Sequence, residues 1–187
     1  MKETIKLGLI LFIIAAFSGG ILSYTNSLTK PIIDEREYEE TQAAFKELIP
    51  DADSFDELDA AKLESLKSEN KKIQDIYEAK KDGSVIGYTF KTAGSGYGGD
   101  VVILTGIAED KITKILVLSH KETPSLGDRI EHDEFKDQFV DKDASHELVL
   151  SKSASGEEIQ AISGSTISSR ATVESVNQAI DALSKLK

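Results

Sequence analysis

The segment AGSGYGGDVVILTGIAEDKITKILVLSH, residues 93–120, places a glycine-rich loop before two short apolar runs. These runs, DVVILTGI (100–107) and ITKILVLSH (112–120), are rich in β-branched residues, and the short polar segment AEDK between them is typical of a turn. KIQDIYEAK (72–80) and SVIGYTFKT (84–92), separated by KDG, repeat the same pattern upstream. The sequence therefore predicts a four-stranded antiparallel meander.

The segments after the meander predict further strands and helices. LGDRIEHDEFKDQFV (126–140) is interpreted as a helix, and HELVLSK (146–152) as another strand. The C-terminal segment predicts an amphipathic helix that begins near Arg170, because apolar residues recur at helical spacing: Val173, Val176, Ile180 and Leu183. Strands followed by packed helices indicate an α+β fold built on an antiparallel sheet.

The N-terminal segment is apolar enough to cross a membrane. Residues 7–29 carry no charge, and at 1.5 Å per residue they span roughly 34 Å, enough for a bilayer core of about 30 Å. The alternative is a cleavable signal peptide, but SGGILSYTNSL, which follows the apolar run, contains no A-x-A-like site. We therefore expect one retained transmembrane helix.

The segment between the membrane helix and the meander predicts a helical stalk. Pro50 divides it, and a weak helical stripe continues over 51–70 through Phe55, Leu58, Leu63 and Leu66. The expected organisation is an anchor at 1–30, a stalk at 31–70 and a folded domain at 71–187.

Composition excludes several functions. The chain has 187 residues and a net charge of −11, and its cations form no cluster, so we expect no nucleic-acid partner. The absence of cysteine excludes disulfides and thiolate-bound zinc or iron–sulfur clusters on this chain. Its three histidines share no metal-like spacing, so no metal site is predicted. No nucleophile–base pair typical of a hydrolase is evident.

Two loops admit either a structural or a ligand-binding interpretation. GSGYGG (94–99) matches G-x-G-x-x-G, but it leads into a strand instead of a helix, so it is not a dinucleotide-binding turn. It is either a wide hairpin loop or a backbone surface open to a planar ring or a phosphate. HKETPSLGD (120–128) is either a plain turn or a turn that presents polar groups.

The stretch AISGSTISSR (161–170) concentrates five hydroxyl side chains before the C-terminal helix. Ser168 or Ser169 is a candidate cap for a helix that begins near Arg170. The alternative is a phosphate site, since the free amides and the dipole of a helix N-terminus favour an anion. A cap alone does not explain hydroxyls as far upstream as Ser163.

Taken together, GYGGDVVILTG, ETPSLGD and SGSTISS resemble the FMN-binding domain of the Rnf complex G subunit. The same domain occurs in the C subunit of sodium-pumping NADH:quinone reductases. The resemblance covers residue 72 to the C-terminus. It differs from the family pattern at Ser165, which stands where alanine is usual, and at Gln160, where an acidic residue is common.

The resemblance implies covalent FMN, joined through its phosphate to Thr166. It implies a phosphate environment formed by Ser163, Gly164, Ser165 and Ser169. It further implies that two groups of residues approach the flavin: Tyr97, Gly98 and Gly99 from the glycine-rich loop, and Glu122, Thr123 and Leu126 from the turn.

The resemblance also implies the function. We expect a membrane-anchored electron carrier of an Rnf-type ferredoxin:NAD oxidoreductase, which couples electron transfer to Na⁺ or H⁺ translocation. Its partners would be the other membrane and redox subunits, and a separate flavin transferase would attach the FMN.

Cations are balanced around the apolar segment, with Lys2 and Lys6 before it and Lys30 and Arg36 after it. Only the resemblance places the N-terminus in the cytoplasm and the FMN domain outside. Two alternatives remain: the C subunit of a quinone reductase, against which the compact length argues, and a non-redox ligand-binding module.

Overall fold

The computed structural model describes the backbone of residues 2–187 and the side chains of residues 6–27, 29–30 and 43–187. The side chains of Lys2 and of residues 31–42, within the predicted stalk, lie outside this description. Contacts divide the chain into two compact units, Met1–Gln42 and Ala43–Lys187. This division falls inside the segment predicted as a stalk.

The first unit is formed by helix α1 (Lys2–Leu48) as far as Gln42. The last residues of this helix, from Ala43, belong to the second unit. Within α1, Lys6–Ser27 is a 22-residue segment that is long and apolar enough to cross a membrane. All side chains of this segment are exposed, including large apolar ones such as Phe12 and Phe17. Such a surface is unfavourable in water and suits a hydrocarbon environment.

The second unit is built on a five-stranded antiparallel sheet with the strand order β1-β2-β3-β4-β5. The strands are β1 (Ser54–Glu57), β2 (Ile73–Lys81), β3 (Ser84–Ser95), β4 (Asp100–Ala108) and β5 (Lys111–Ser119). Two-residue turns join β2 to β3 and β4 to β5. Positive φ at both central residues of each turn fits the right-handed twist of a hairpin. The predicted meander is confirmed as strands β2 to β5.

Strand β1 departs from the helical stripe predicted over 51–70. Ser54–Glu57 pairs with β2 at the sheet edge, and only Ala60–Glu69, helix α2, is helical. Phe55 packs on Phe45, with ring centroids 5.2 Å apart, and Asp59 caps α2. Ser54–Glu57 contains one apolar residue, Phe55, which sets no period, and pairing with the edge of β2 decides its conformation.

The segment 126–140 is broken into short turns instead of forming one helix. Two 3₁₀ turns (Gly127–Glu131 and Asp137–Phe139) flank helix α3 (Asp133–Lys136), because the extended backbone of His132 (ψ 140°) interrupts the run. The break allows Ile130, Phe135 and Phe139 all to be buried in the core.

Only two residues of the strand predicted over 146–152 form a strand, β6 (Leu150–Ser151), which pairs in parallel with β7 (Ile159–Gln160). The physical reason lies at Leu148. The side chain of Asn177 accepts the Leu148 N–H at 2.8 Å and donates to its carbonyl at 3.0 Å, so both backbone groups are used outside a sheet.

Helix α4 (Thr166–Leu186) begins four residues before the predicted start and packs on β3 and β4. Its predicted apolar stripe is buried. A Cβ atom on Gly94 would lie 2.6 Å from the carbonyl carbon of Ala171, so only glycine lets the α4 backbone rest on β3. On the opposite face of the sheet, Phe45, Leu48 and Ile49 form a second core with Leu104.

Candidate functional site

The three polar stretches identified in the sequence meet at the carboxylate of Glu122. Its Oε1 accepts the backbone N–H groups of Tyr97 at 2.7 Å and of Gly98 at 3.1 Å. Its Oε2 accepts the hydroxyl of Ser168, in the first turn of α4, at 2.6 Å. Glu122 is only 7% exposed. One buried side chain therefore joins the glycine-rich loop, the turn after β5 and the N-terminus of α4.

The ionisation of Glu122 follows from these donors. Burial by itself would raise the pKa of the carboxyl group. The hydrogen bonds from Ser168, Gly98 and Tyr97 outweigh burial and lower the pKa below its ordinary value. The group is thus a carboxylate at neutral pH, held by three donors.

The glycines of the loop serve close packing as well as turn geometry. The N–H of Gly96 donates to the Gly99 carbonyl at 2.9 Å and closes the hairpin, in which Gly99 has φ +141°. At position 98 glycine is required for close packing, because a Cβ there would lie 2.6 Å from the carbonyl carbon of Lys121. The loop is therefore a hairpin loop whose backbone is pressed against the turn after β5.

Three of the five hydroxyls in 161–170 are buried and engaged within the protein. Ser165 donates to the Leu126 carbonyl at 2.6 Å, and Ser168 donates to Glu122. Ser169 donates to the Ser165 carbonyl and accepts the N–H of Ile162, both at 3.0 Å. The expected capping by Ser168 or Ser169 is wrong, because both lie inside α4, which begins at Thr166.

The N-cap position of α4 is Ser165, and its side chain makes no capping bond. Gly164 precedes it with φ +83°, which turns the chain into the helix. Within the described part of the chain, the backbone N–H groups of Thr166, Ile167 and Ser168 have no hydrogen-bond acceptor. These donors form the positive end of a 21-residue helix.

Thr166 and Ser163 carry the other two hydroxyls of 161–170, which have no partner among the described residues, and both residues line a cleft of about 500 Å³. The cleft extends from the start of α4 toward α3 and β7. Its other lining residues are Arg129, His132, Glu134, Phe135, Gln138, Lys152, Gln160, Ala161, Ile162 and Gly164. Thr166 is half-buried and lines the cleft.

The cleft carries positive charge. Arg129 and Lys152 both line it, and neither forms an ion pair with a described side chain. Two cations beside a free helix N-terminus fit a phosphate group, whose oxygens accept charge-assisted hydrogen bonds. Sequence reasoning missed both residues. Arg129 directly follows ETPSLGD and could have been selected as a neighbour of that motif. Lys152 has no such motif beside it.

The predicted flavin-contacting residues take three kinds of position. Tyr97 (74% exposed) and Leu126 (44%) present apolar surface near the start of α4, as does Ile167 (48%), which sequence reasoning did not select. The Thr123 carbonyl accepts the N–H of Leu126 at 3.2 Å and that of Gly127 at 2.9 Å, and so shapes the turn. Glu122, by contrast, is buried.

Comparison with known proteins defines the class of this fold and site. Residues 96–181 match the FMN-binding domain family, and residues 1–48 match the RnfG N-terminal region. The crystal structure of the C subunit of the Na⁺-translocating NADH-quinone reductase from Parabacteroides distasonis has a TM-score of 0.58 and 21% identity. That alignment covers 79% of this chain and 82% of the solved one. The second unit therefore has the fold of an FMN-binding domain.

Relatives that match most of the chain identify the family more closely. The G subunit of the Na⁺-translocating ferredoxin:NAD⁺ oxidoreductase complex of Acetobacterium woodii is 40% identical, over 99% of this chain and 94% of the relative. The G subunit of the proton-translocating ferredoxin:NAD⁺ oxidoreductase complex of Clostridium ljungdahlii is 30% identical, over 88% and 83%. The chain belongs to the family of G subunits of ion-translocating oxidoreductase (Rnf) complexes.

Proposed function

We propose that this chain is the electron-transfer subunit of an Rnf-type complex and carries FMN covalently as a phosphoester of Thr166. The complex would couple ferredoxin:NAD electron transfer to the translocation of Na⁺ or H⁺. The observation that carries the attachment site is the state of the hydroxyls. Ser165, Ser168 and Ser169 are engaged inside the protein, whereas Thr166 opens to the cationic cleft at the start of α4.

Each part of the site has a role in this proposal. Arg129, Lys152 and the free amides of α4 hold the phosphate, and Ser163 and Gly164 border it. Tyr97, Leu126 and Ile167 offer apolar surface for a planar ring, with Gly98, Gly99 and Thr123 as neighbouring backbone. When bound, FMN supplies one- and two-electron transfer, and the protein holds it and tunes its environment.

Attachment requires a second protein. A threonine hydroxyl is a weak nucleophile, and no described side chain accepts its proton. Among the residues that line the cleft, His132 and Glu134 make no hydrogen bond to Thr166. We infer that a separate flavin transferase activates the hydroxyl, and that other membrane and redox subunits then exchange electrons with the bound flavin.

The proposal includes a single-pass anchor in the cell (inner) membrane. The segment Lys6–Ser27 supports it by length and composition. The cytoplasmic N-terminus and the extracytoplasmic FMN domain rest on the family resemblance. A Ser153→Cys variant tests the placement, because Ser153 is exposed and the chain has no other cysteine. In intact cells it should react with a membrane-impermeant thiol reagent, and labelling that requires cell lysis would place the domain inside.

The experiment that tests the function is in-gel flavin fluorescence after denaturation, combined with intact mass. Wild-type chain should fluoresce and carry the mass of one FMN less one water. Thr166→Val should lose both while remaining folded, whereas the control Ser163→Ala, which removes the other hydroxyl of the cleft, should keep both.

Each other result has a defined meaning. A fluorescent Thr166→Val with the added mass would move the attachment site, with Ser163 the first candidate. A wild-type chain that binds no flavin when expressed with its transferase would favour the non-redox ligand-binding module. Assignment to a quinone reductase would require co-purification with that complex instead of Rnf subunits.

A further inference from the structure

Glu122 stands between the two halves of the proposed flavin site without facing the cleft. It does not line the cavity beside Thr166, and both of its carboxylate oxygens are occupied by protein donors. Its own backbone is fixed as well, since its N–H donates to His120 Nδ1 at 3.1 Å, and Nε2 of that ring donates to Glu131 at 2.9 Å. Both oxygens therefore serve the protein and not a ligand.

We infer that Glu122 is a positioning residue, which fixes the glycine-rich loop against the N-terminus of α4 and so sets where the flavin ring lies relative to Thr166. This inference rests on the proposed function. Among the described side chains, only the Glu122 carboxylate forms hydrogen bonds both to the loop, at Tyr97 and Gly98, and to α4, at Ser168. Ser168 lies two residues after Thr166.

The surrounding packing requires a carboxylate of this length. A Cβ on Gly127 would lie 2.6 Å from Glu122 Oε2 and 2.8 Å from Ser168 Oγ, so glycine leaves the space that the pair fills. A Cβ on Gly96 would likewise collide with the carboxylate, at Oε1. An aspartate in place of Glu122 is one methylene shorter and would not reach both sets of donors. A glutamine would keep an oxygen for the loop amides, but its amide group could bond Ser168 only if the hydroxyl turned from donor to acceptor.

The test compares Glu122→Ala, Glu122→Gln and Ser168→Ala, with Glu131→Gln as the matched control. The control neutralises an exposed carboxylate that contacts His120 but not the loop. Hydrogen exchange at Tyr97 and Gly98 is measured in the Thr166→Val background, where no covalent flavin is expected. Flavin fluorescence anisotropy and reduction potential are measured in chains that retain Thr166.

We expect Glu122→Ala to raise the exchange rate at Tyr97 and Gly98 by about 10- to 100-fold, the range expected for losing hydrogen bonds to a charged group. In the flavinylated chain it should lower the anisotropy and shift the potential, while the covalent mass stays. Glu122→Gln should restore most of the exchange protection, whereas Ser168→Ala should keep the loop protected but still change the anisotropy.

Unchanged exchange at both amides in Glu122→Ala would overturn the inference. So would faster exchange accompanied by wild-type anisotropy and potential, because the loop would then be held without consequence for the ring. If Glu122→Ala does not fold, Ser168→Ala decides, and wild-type anisotropy and potential in that variant count against the inference. Absence of the covalent mass from wild-type protein would refute the proposed function instead, and the exchange data would still test the link between loop and helix.

Discussion

Replacing Gly98 by alanine tests the packing that brings the loop to the turn after β5. The new Cβ would lie 2.6 Å from the Lys121 carbonyl carbon, and an ordinary carbon–carbon contact is about 3.5–4.0 Å. The loop must therefore move by about 1 Å. Such a movement would stretch the 3.1 Å hydrogen bond from Gly98 to Glu122 beyond bonding distance.

The magnitude follows from three opposing effects. A Gly→Ala change normally stabilises by about 0.4–1 kcal/mol through the unfolded chain. Here overpacking costs about 1–3 kcal/mol, and a lost hydrogen bond to a carboxylate costs about 1.5–3 kcal/mol. We expect a net loss of about 2–5 kcal/mol, which lowers Tm by roughly 6–15 °C for a domain of this size.

Thermal unfolding of the full chain in detergent measures this effect, and intact mass should show that the flavin remains attached. Ser95→Ala is the matched control, because Ser95 is exposed at the end of β3 in the same loop region. A Tm equal to or above that of wild type would refute the packing argument. The loop would then be an ordinary hairpin loop in which any small residue fits.

Three further predictions concern neighbouring features. Asn177→Leu should cost about 2–4 kcal/mol in unfolding free energy, because it leaves two backbone groups of Leu148 unpaired; Asn177→Asp, which can still accept the N–H, should cost less. Arg129→Gln in the Thr166→Val background should weaken binding of free FMN by about 10- to 100-fold, because it removes a cation from the cleft. Arg170 does not line the cleft, so Arg170→Gln should leave the Kd for FMN unchanged. The stability advantage of wild type over Glu122→Gln should be constant above the ordinary glutamate pKa of about 4.3. It should shrink as the pH falls through the lower folded-state pKa, and an advantage that grows in acid would contradict this assignment.

Local signals accounted for most of the sheet. Strands β2 to β5 are rich in β-branched residues, and two-residue turns join β2 to β3 and β4 to β5, so these two hairpins are specified by residues close in sequence. Strand β1 and the start of α4 were missed, because both depend on distant partners. β1 requires the edge of β2, and the first turn of α4 is fixed by the contacts of Ser165 and Ser168 with Leu126 and Glu122.

The same distinction applies to the site. Resemblance selected Thr166, Glu122 and the glycine-rich loop as residues of one site, and the fold brings the loop, the turn and α4 together. It did not reveal that Glu122 is buried, since a glutamate in a polar turn normally faces solvent. Lys152 could not be selected, because an isolated cation in a charged sequence carries no signal until the fold places it beside a cleft, whereas Arg129 adjoins the motif ETPSLGD.

The second core, on the face of the sheet opposite α4, determines where the chain can be cut. Phe45, Leu48 and Ile49 cover Leu104 and Ala79 there, although they precede the first strand. A soluble fragment that starts at residue 71, where the sequence alone placed the domain boundary, would leave this apolar face bare and prone to aggregate. A fragment that starts at Ala43 keeps the cover and is the one to express for spectroscopy and crystallisation.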